Sequence, residues 1–225
     1  MTPVLLPALA VAILGLWLAI QLVQATRSRS AARAAYFDAV KPLFSSIEER
    51  IEPTGFPRLT GRHFGLSFDL QAIPDTLTFR KLPALWVMLT LPEPLPVKAT
   101  VDLMARPSGN EPFSRFGSLP QALPPVPGLP KEVAIHSDAG PDLPPADLLS
   151  GHADLFADPR VKELVLSPKG LRIVILGEEA DRGRFLIFRE AEMGMTPLAP
   201  ARIAPLLDRL RALRKDVLAV SEGQP

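Results

Sequence analysis

The chain opens on an apolar run with no charge in it. Residues 3–25 read PVLLPALAVAILGLWLAIQLVQA, and only Gln21 and Gln24, both at the far end, are strongly polar. A helix rising about 1.5 Å per residue crosses a hydrocarbon core of ~30 Å with a run of this length. The pattern then changes. Over 30–51, Phe37, Val40, Phe44, Ile47 and Ile51 recur at spacings of three and four behind an alanine-rich start, which predicts a helix kinked at Pro42. From 59 to 106 the period shortens to two. Leu66, Phe68, Leu70 and Ala72 alternate with polar residues, Leu77 and Phe79 do the same, 85–91 is a short apolar run, and alternation resumes over 97–106. Strands this close together predict an antiparallel sheet.

Residues 107–130 hold seven prolines, with Phe113, Phe116, Leu119, Leu123, Val126 and Leu129 among them. Such a stretch cannot be a central strand or an ordinary helix. The expectation is an extended segment packed against the domain. Two short helices follow, one entered at Asp142-Leu143-Pro144-Pro145 and one running from Asp158-Pro159 to about Leu164. A hairpin is expected next, with strands at 170–176 and 184–190 joined by a charged loop. A last helix over 200–220 puts Ile203, Leu206, Leu207, Leu210, Leu213, Val217 and Leu218 on one face, suited to cover a sheet. The predicted class is α+β: a transmembrane anchor at 1–26, a juxtamembrane helical linker at 27–56, and a sheet domain at 57–225 containing the proline-rich segment.

Composition narrows the function classes. The chain has 225 residues, a net charge of +1, 26 prolines and no cysteine. Without cysteine there are no disulfides, thiol nucleophiles or zinc–thiolate sites. The balanced charge disfavours a general nucleic-acid binder, which needs a basic excess. Proline stands at roughly twice its usual ~5%.

The first run could be a cleaved signal peptide, with Val23-Gln24-Ala25 as the processing site. No Lys or Arg precedes it and it exceeds the usual length of a signal core, so an uncleaved anchor is the better reading. Arg27, Arg29 and Arg33 flank its trailing end. The positive-inside rule then places the amino terminus outside and the domain in the cytoplasm, at an inner membrane. The bilayer is one expected partner; a protein partner or self-association is another.

Candidate chemistry is sparse. His136-Ser-Asp138 and His152-Ala-Asp154 repeat an H-x-D pattern that, with Asp142, offers a weak divalent-metal set. The competing reading is solvated polar residues, in which case alanine at both histidines changes stability by no more than about 1 kcal/mol. Glu178, Glu179 and Asp181 read as a soluble loop tip. No phosphate-binding loop, dinucleotide fingerprint or nucleophile elbow occurs. No catalytic residue and no cofactor is assigned.

The stretches TGRHFGLSFDLQAIPDTLTFRKLPALWVMLTLPEPLPV and DPRVKELVLSPKGLRIVILGEEADRGRFLIFREAEM resemble uncharacterised single-pass membrane proteins of proteobacteria. The resemblance implies a bacterial membrane location and supplies no site residues. The expected role is a membrane-anchored, non-enzymatic interaction or accessory module. The alternatives are a metal-dependent hydrolase built on the H-x-D residues and a tethered periplasmic binding domain.

Overall fold

The computed structural model describes residues 5–76, 82–138, 143–188 and 191–222. Its helices are α1 (Leu5–Ala34), α2 (Ala146–Ser150), α3 (Arg182–Phe188) and α4 (Pro200–Glu222). Its strands are β1 (Ser45–Ile51), β2 (Pro57–His63), β3 (Leu66–Asp75), β4 (Ala84–Leu91), β5 (Val101–Ala105), β6 (Gln121–Leu123), β7 (Val133–Ser137), β8 (Val161–Ser167) and β9 (Gly170–Glu179). The strands form one sheet in the order β1-β2-β3-β4-β9-β8-β5-β7-β6, antiparallel at every pairing. The protein is therefore an α+β chain: an apolar helix followed by a large antiparallel sheet with helices.

The two faces of the sheet carry different residues because side chains alternate along each strand. One face presents Leu59, Phe68, Leu70, Val87, Leu89, Ile173, Ile175, Leu103 and Ile135 to the main core. That core is closed by α4, whose buried side is Ile203, Leu206, Leu207, Leu210, Leu213 and Val217, the stripe expected from its spacing except for Leu218, which is half-exposed. The opposite face carries a smaller cluster of Met104, Val174, Phe113 and Phe116, flanked by Trp86 and Met88. Phe113 and Phe116 belong to the proline-rich segment, which lies over this second face as a strap. The strap also contributes β6, an edge strand, where proline-rich sequence is tolerated.

Three local expectations are corrected. The helix expected over 30–51, and with it the helical linker at 27–56, is not formed. Helix α1 continues to Ala34, Asp38–Leu43 is a 3-10 turn containing Pro42, and Ser45–Ile51 is edge strand β1. Phe37, Val40 and Phe44 are buried, but Ile47 and Ile51 are exposed, so the helical spacing did not mark a single face. Phe44 is pinned by Gly61, where a Cβ would come within 2.8 Å of the Phe44 Cβ.

The helix expected from Asp158 is strand β8. The Asp158 carboxylate accepts a bond from the Arg160 amide at 2.9 Å, and its carbonyl accepts from Val161 at 3.0 Å, so the Asp-Pro pair makes a turn into a strand. The hairpin expected between 170–176 and 184–190 is replaced by β8–β9, joined across Ser167 and Gly170. Where the return strand was expected, the Asp181 carboxylate accepts the Arg184 amide at 2.7 Å and caps α3. A short apolar run such as 185–188 does not by itself distinguish strand from helix. The strand expected around Leu77 and Phe79 lies outside the described residues.

Candidate functional site

Beneath the strap lies a buried cluster of ionisable groups. Antiparallel register sets Met104 of β5 opposite Glu163 of β8, Glu163 opposite Val174 of β9, and Asp102 opposite His136 of β7. A register shift between Val161 and Glu163 inserts Lys162 into β8. The Lys162 Nζ donates to the carbonyls of Ala105 at 2.8 Å and Arg106 at 2.7 Å, and pairs with the Glu111 Oε1 at 3.0 Å. Glu111 sits in the strap and also accepts the Ser108 amide and hydroxyl, each at 2.7 Å. The strap is fastened again where Arg106, at φ +49°, donates its amide to the Glu132 carbonyl and its guanidinium to the Pro159 carbonyl.

Deeper in, Asp102 is 2% and Glu163 0% exposed. The Glu163 carboxylate accepts the Ser114 hydroxyl from the strap and lies 3.1 Å from the Arg172 guanidinium. His136 stacks on Phe116 with ring centroids 4.1 Å apart, and Trp86 packs on Phe113 at 5.1 Å. The Asp102 Oδ1, His136 Nδ1, Trp86 Nε1 and Arg172 Nε are buried without a hydrogen-bond partner. Two buried carboxyls thus lie side by side, with the Arg172 guanidinium bound to one of them.

Burial, and then the neighbouring Glu163 carboxylate, push the Asp102 carboxyl up to about 8. Burial also raises Glu163, opposed by Arg172 and the Ser114 hydroxyl. Asp102 is therefore protonated at neutral pH. Its pKa is higher folded than the ~3.9 of an unfolded aspartate. Its contribution to stability is thus fully present below pH ~4 and is lost as pH rises through about 8. Glu111 behaves oppositely. Burial acts to raise it, but the Ser108 and Lys162 bonds prevail and hold it down near about 2. Its contribution is present above pH ~4.3 and lost as pH falls towards about 2. Asp102→Asn is expected to flatten the decline in stability between pH 4 and pH 8, as read by denaturant titration at each pH. An unchanged slope would contradict this assignment.

The H-x-D residues do not converge. His136 lies in the strap cluster, while Asp138 accepts the Thr100 amide at 2.7 Å. His152 is only 4% exposed and bonds through Nε2 to the Asp216 carboxylate of α4 at 3.0 Å. Asp154 binds Arg209 of α4 through two contacts, at 2.9 and 2.5 Å. Asp142 is outside the described residues, and among those described no three imidazole or acidic groups cluster to hold a metal. Treating His152 as solvated is a misreading, since it fixes the segment Ala153–Ala157 to α4. His152→Ala is expected to cost about 1–2 kcal/mol, because a buried ring and its bond to the half-exposed Asp216 carboxylate are both lost. His136→Ala tests the strap separately. Chemical denaturation checks both.

Glu178 and Glu179 end β9 rather than tipping a loop, and Glu178 accepts the Gly194 amide at 2.7 Å. Arg27 and Arg29 lie on the continuation of α1. Arg33, in its last turn, sits 5.8 Å from the Phe56 ring centroid. A second surface feature, a polar groove of about 310 Å³ on β1–β3, is lined by Glu48, Glu49, Arg50, Arg58, Thr60 and Asp69. Its Arg58 and Asp69 are already paired, at 2.7 and 2.9 Å.

Asp102, Glu111, Ser114, Lys162, Glu163 and Arg172 were not singled out from sequence. The available signal was a charged pair inside a β-branched run and a lone Asp in a strand that a proline-rich segment could cover. In comparisons with known proteins, no family model and no curated protein matches the chain. The chain is similar to the crystal structure of the mycobacterial trehalose monomycolate transport factor A, TtfA, at 13% identity. The match covers 86% of this chain and 96% of that one, with a TM-score of 0.41.

Proposed function

We propose that the protein is a membrane-anchored, non-enzymatic accessory module that holds its sheet domain at the cytoplasmic surface of a bacterial inner membrane for a protein partner. The observation that carries this is the junction. One helix, α1, is apolar enough to cross a membrane, and its described side chains over 9–28 are exposed. It ends at Ala34, and Tyr36 and Phe37 are already fully buried in the domain core. A single residue separates anchor from core. The Tyr36 carbonyl accepts the Leu198 amide at 2.8 Å, which ties the junction to the entry of α4. A module mounted this way has a fixed height and orientation, as suits a positional role better than a tethered catalyst that must search for substrate.

Two further features support the reading. The acid pair that would offer acid–base chemistry is sealed by Phe113, Phe116 and the strap. Edge strand β1 is exposed along all seven residues and presents backbone groups to which a partner strand could add. Orientation rests on the flanks: Arg27, Arg29 and Arg33 favour retention on the cytoplasmic side. A green fluorescent protein fused after Pro225 is expected to fluoresce, and alkaline phosphatase at the same point to stay inactive. Active phosphatase, or a mature chain beginning near Thr26, would overturn the proposal. Exchanging the three arginines for glutamine and adding lysines after Met1 should invert the pattern.

A further inference from the structure

Helix α3 leaves large apolar side chains uncovered. Leu186 is 58% and Ile187 74% exposed, on a segment whose N-terminus is capped by Asp181. Its place in the fold is specific. Ile51 pairs with Pro57, Asp75 with Ala84, and Ala84 with Glu179, so β1, β2, β3, β4 and β9 all terminate at one end of the sheet. α3 follows β9 at that end. The excursion that contains it is closed by the Glu178–Gly194 bond. Gly194 sits at φ +76° against Phe56 and Arg33, where any Cβ would collide with the Phe56 ring. The last turn of α1 therefore enters the domain at the end of the sheet from which α3 follows.

Distance along α1 sets how near that end is to lipid. Seven helical rises separate Thr26 from Arg33, about 10 Å. The headgroup layer on one side of a bilayer is about 5–8 Å deep. We infer that α3 is a lipid-contacting foot, with Leu186 and Ile187 entering the headgroup layer on the side where α1 emerges. The inference rests on the anchored reading above. The charges at this end fit a lipid surface. Arg182 is exposed beside the apolar pair, and Arg27 and Arg29 line the approach. Among the described acids at this end, Asp181 caps α3, Glu178 holds Gly194, Glu192 pairs with Arg184 and Glu52 with Arg50, while Glu179 is exposed and Asp75 half-buried. The contact is therefore mainly apolar, as for short interfacial helices.

The absence of cysteine allows clean single-site labelling. The full chain is reconstituted in vesicles of phosphatidylcholine and phosphatidylglycerol with a nitroxide at Ile187→Cys, Ala212→Cys or Leu14→Cys. Collision with oxygen is compared with collision with a water-soluble nickel chelate. At position 187 the oxygen-to-nickel ratio is expected to exceed that at Ala212, on the exposed side of α4, severalfold, and to fall short of that at Leu14. A ratio at 187 equal to that at 212 places α3 in water and overturns the inference. Shielding of 187 from both reagents points to a protein contact and overturns it equally. A water-like ratio at Leu14 would instead overturn the anchored reading itself.

Discussion

Lys162→Ala is expected to lower the unfolding free energy by about 3–5 kcal/mol, the range for removing one member of a buried ion pair. The Lys162 ammonium satisfies two carbonyls at the point where the strap leaves β5 and neutralises Glu111 within the strap. Its loss leaves a buried carboxylate without its cation and two carbonyls, one of them buried, short of a donor. Lys162→Met separates charge from packing, because it keeps an apolar stem of similar reach. A loss close to that of alanine is expected there too. Urea denaturation of the full chain in detergent measures both. A cost below about 1 kcal/mol for Lys162→Ala, the level of an exposed pair, would mean that this ammonium does not latch the strap.

The second large effect is expected at the junction. Phe37 is fully buried and touches Tyr36 with ring centroids 5.4 Å apart; Tyr36 in turn meets Phe56 edge-on at 5.7 Å. Burial raises the Tyr36 hydroxyl well above its usual range, with Glu178 adding to this and Arg202 opposing it, so the phenol stays neutral inside the core. Phe37→Ala is expected to cost about 3–5 kcal/mol, as for other large-to-small changes in a packed interior. Ile51→Ala, on the exposed edge strand, should stay within about 0.5 kcal/mol. A chain starting at residue 57 lacks Tyr36, Phe37, Val40 and Phe44 together with β1, and is expected not to fold. Recovery of a cooperative transition from that truncation would show that the junction is not part of the core.

What the sequence made legible follows from how local each signal is. The apolar run at the N-terminus and the stripe of α4 are long and uninterrupted signals, and both segments are helices. The strand at 66–72 also forms as expected, because alternation over a half-buried face is a clear signal, and the short apolar run at 85–91 is a strand too. The failures lie where one local pattern fits two structures. Phe37, Val40 and Phe44 at helical spacing are equally the buried side of a 3-10 turn that feeds a strand. Lys162-Glu163 after Asp-Pro looks like a helix surface; only the strap, distant in sequence, makes a strand with two buried charges tolerable. The strap itself was read correctly as packing on the domain. What it covers was not legible, because Asp102 opposite His136 and Glu163 beside Arg172 are products of strand register rather than of spacing along the chain. His152 was misjudged for the same reason, since its partner Asp216 lies on α4, 64 residues away.

The central claim is that anchor and domain form one rigid unit at the membrane surface. Nitroxides at Gln24→Cys and Ala212→Cys, in the reconstituted full chain, report it by pulsed dipolar spectroscopy. The account predicts a single narrow distance distribution, no wider than that of the pair Glu48→Cys and Ala212→Cys within the domain. A broad or multimodal distribution for 24–212 beside a narrow one for 48–212 would contradict it, and would mean that the domain swings on a flexible tether.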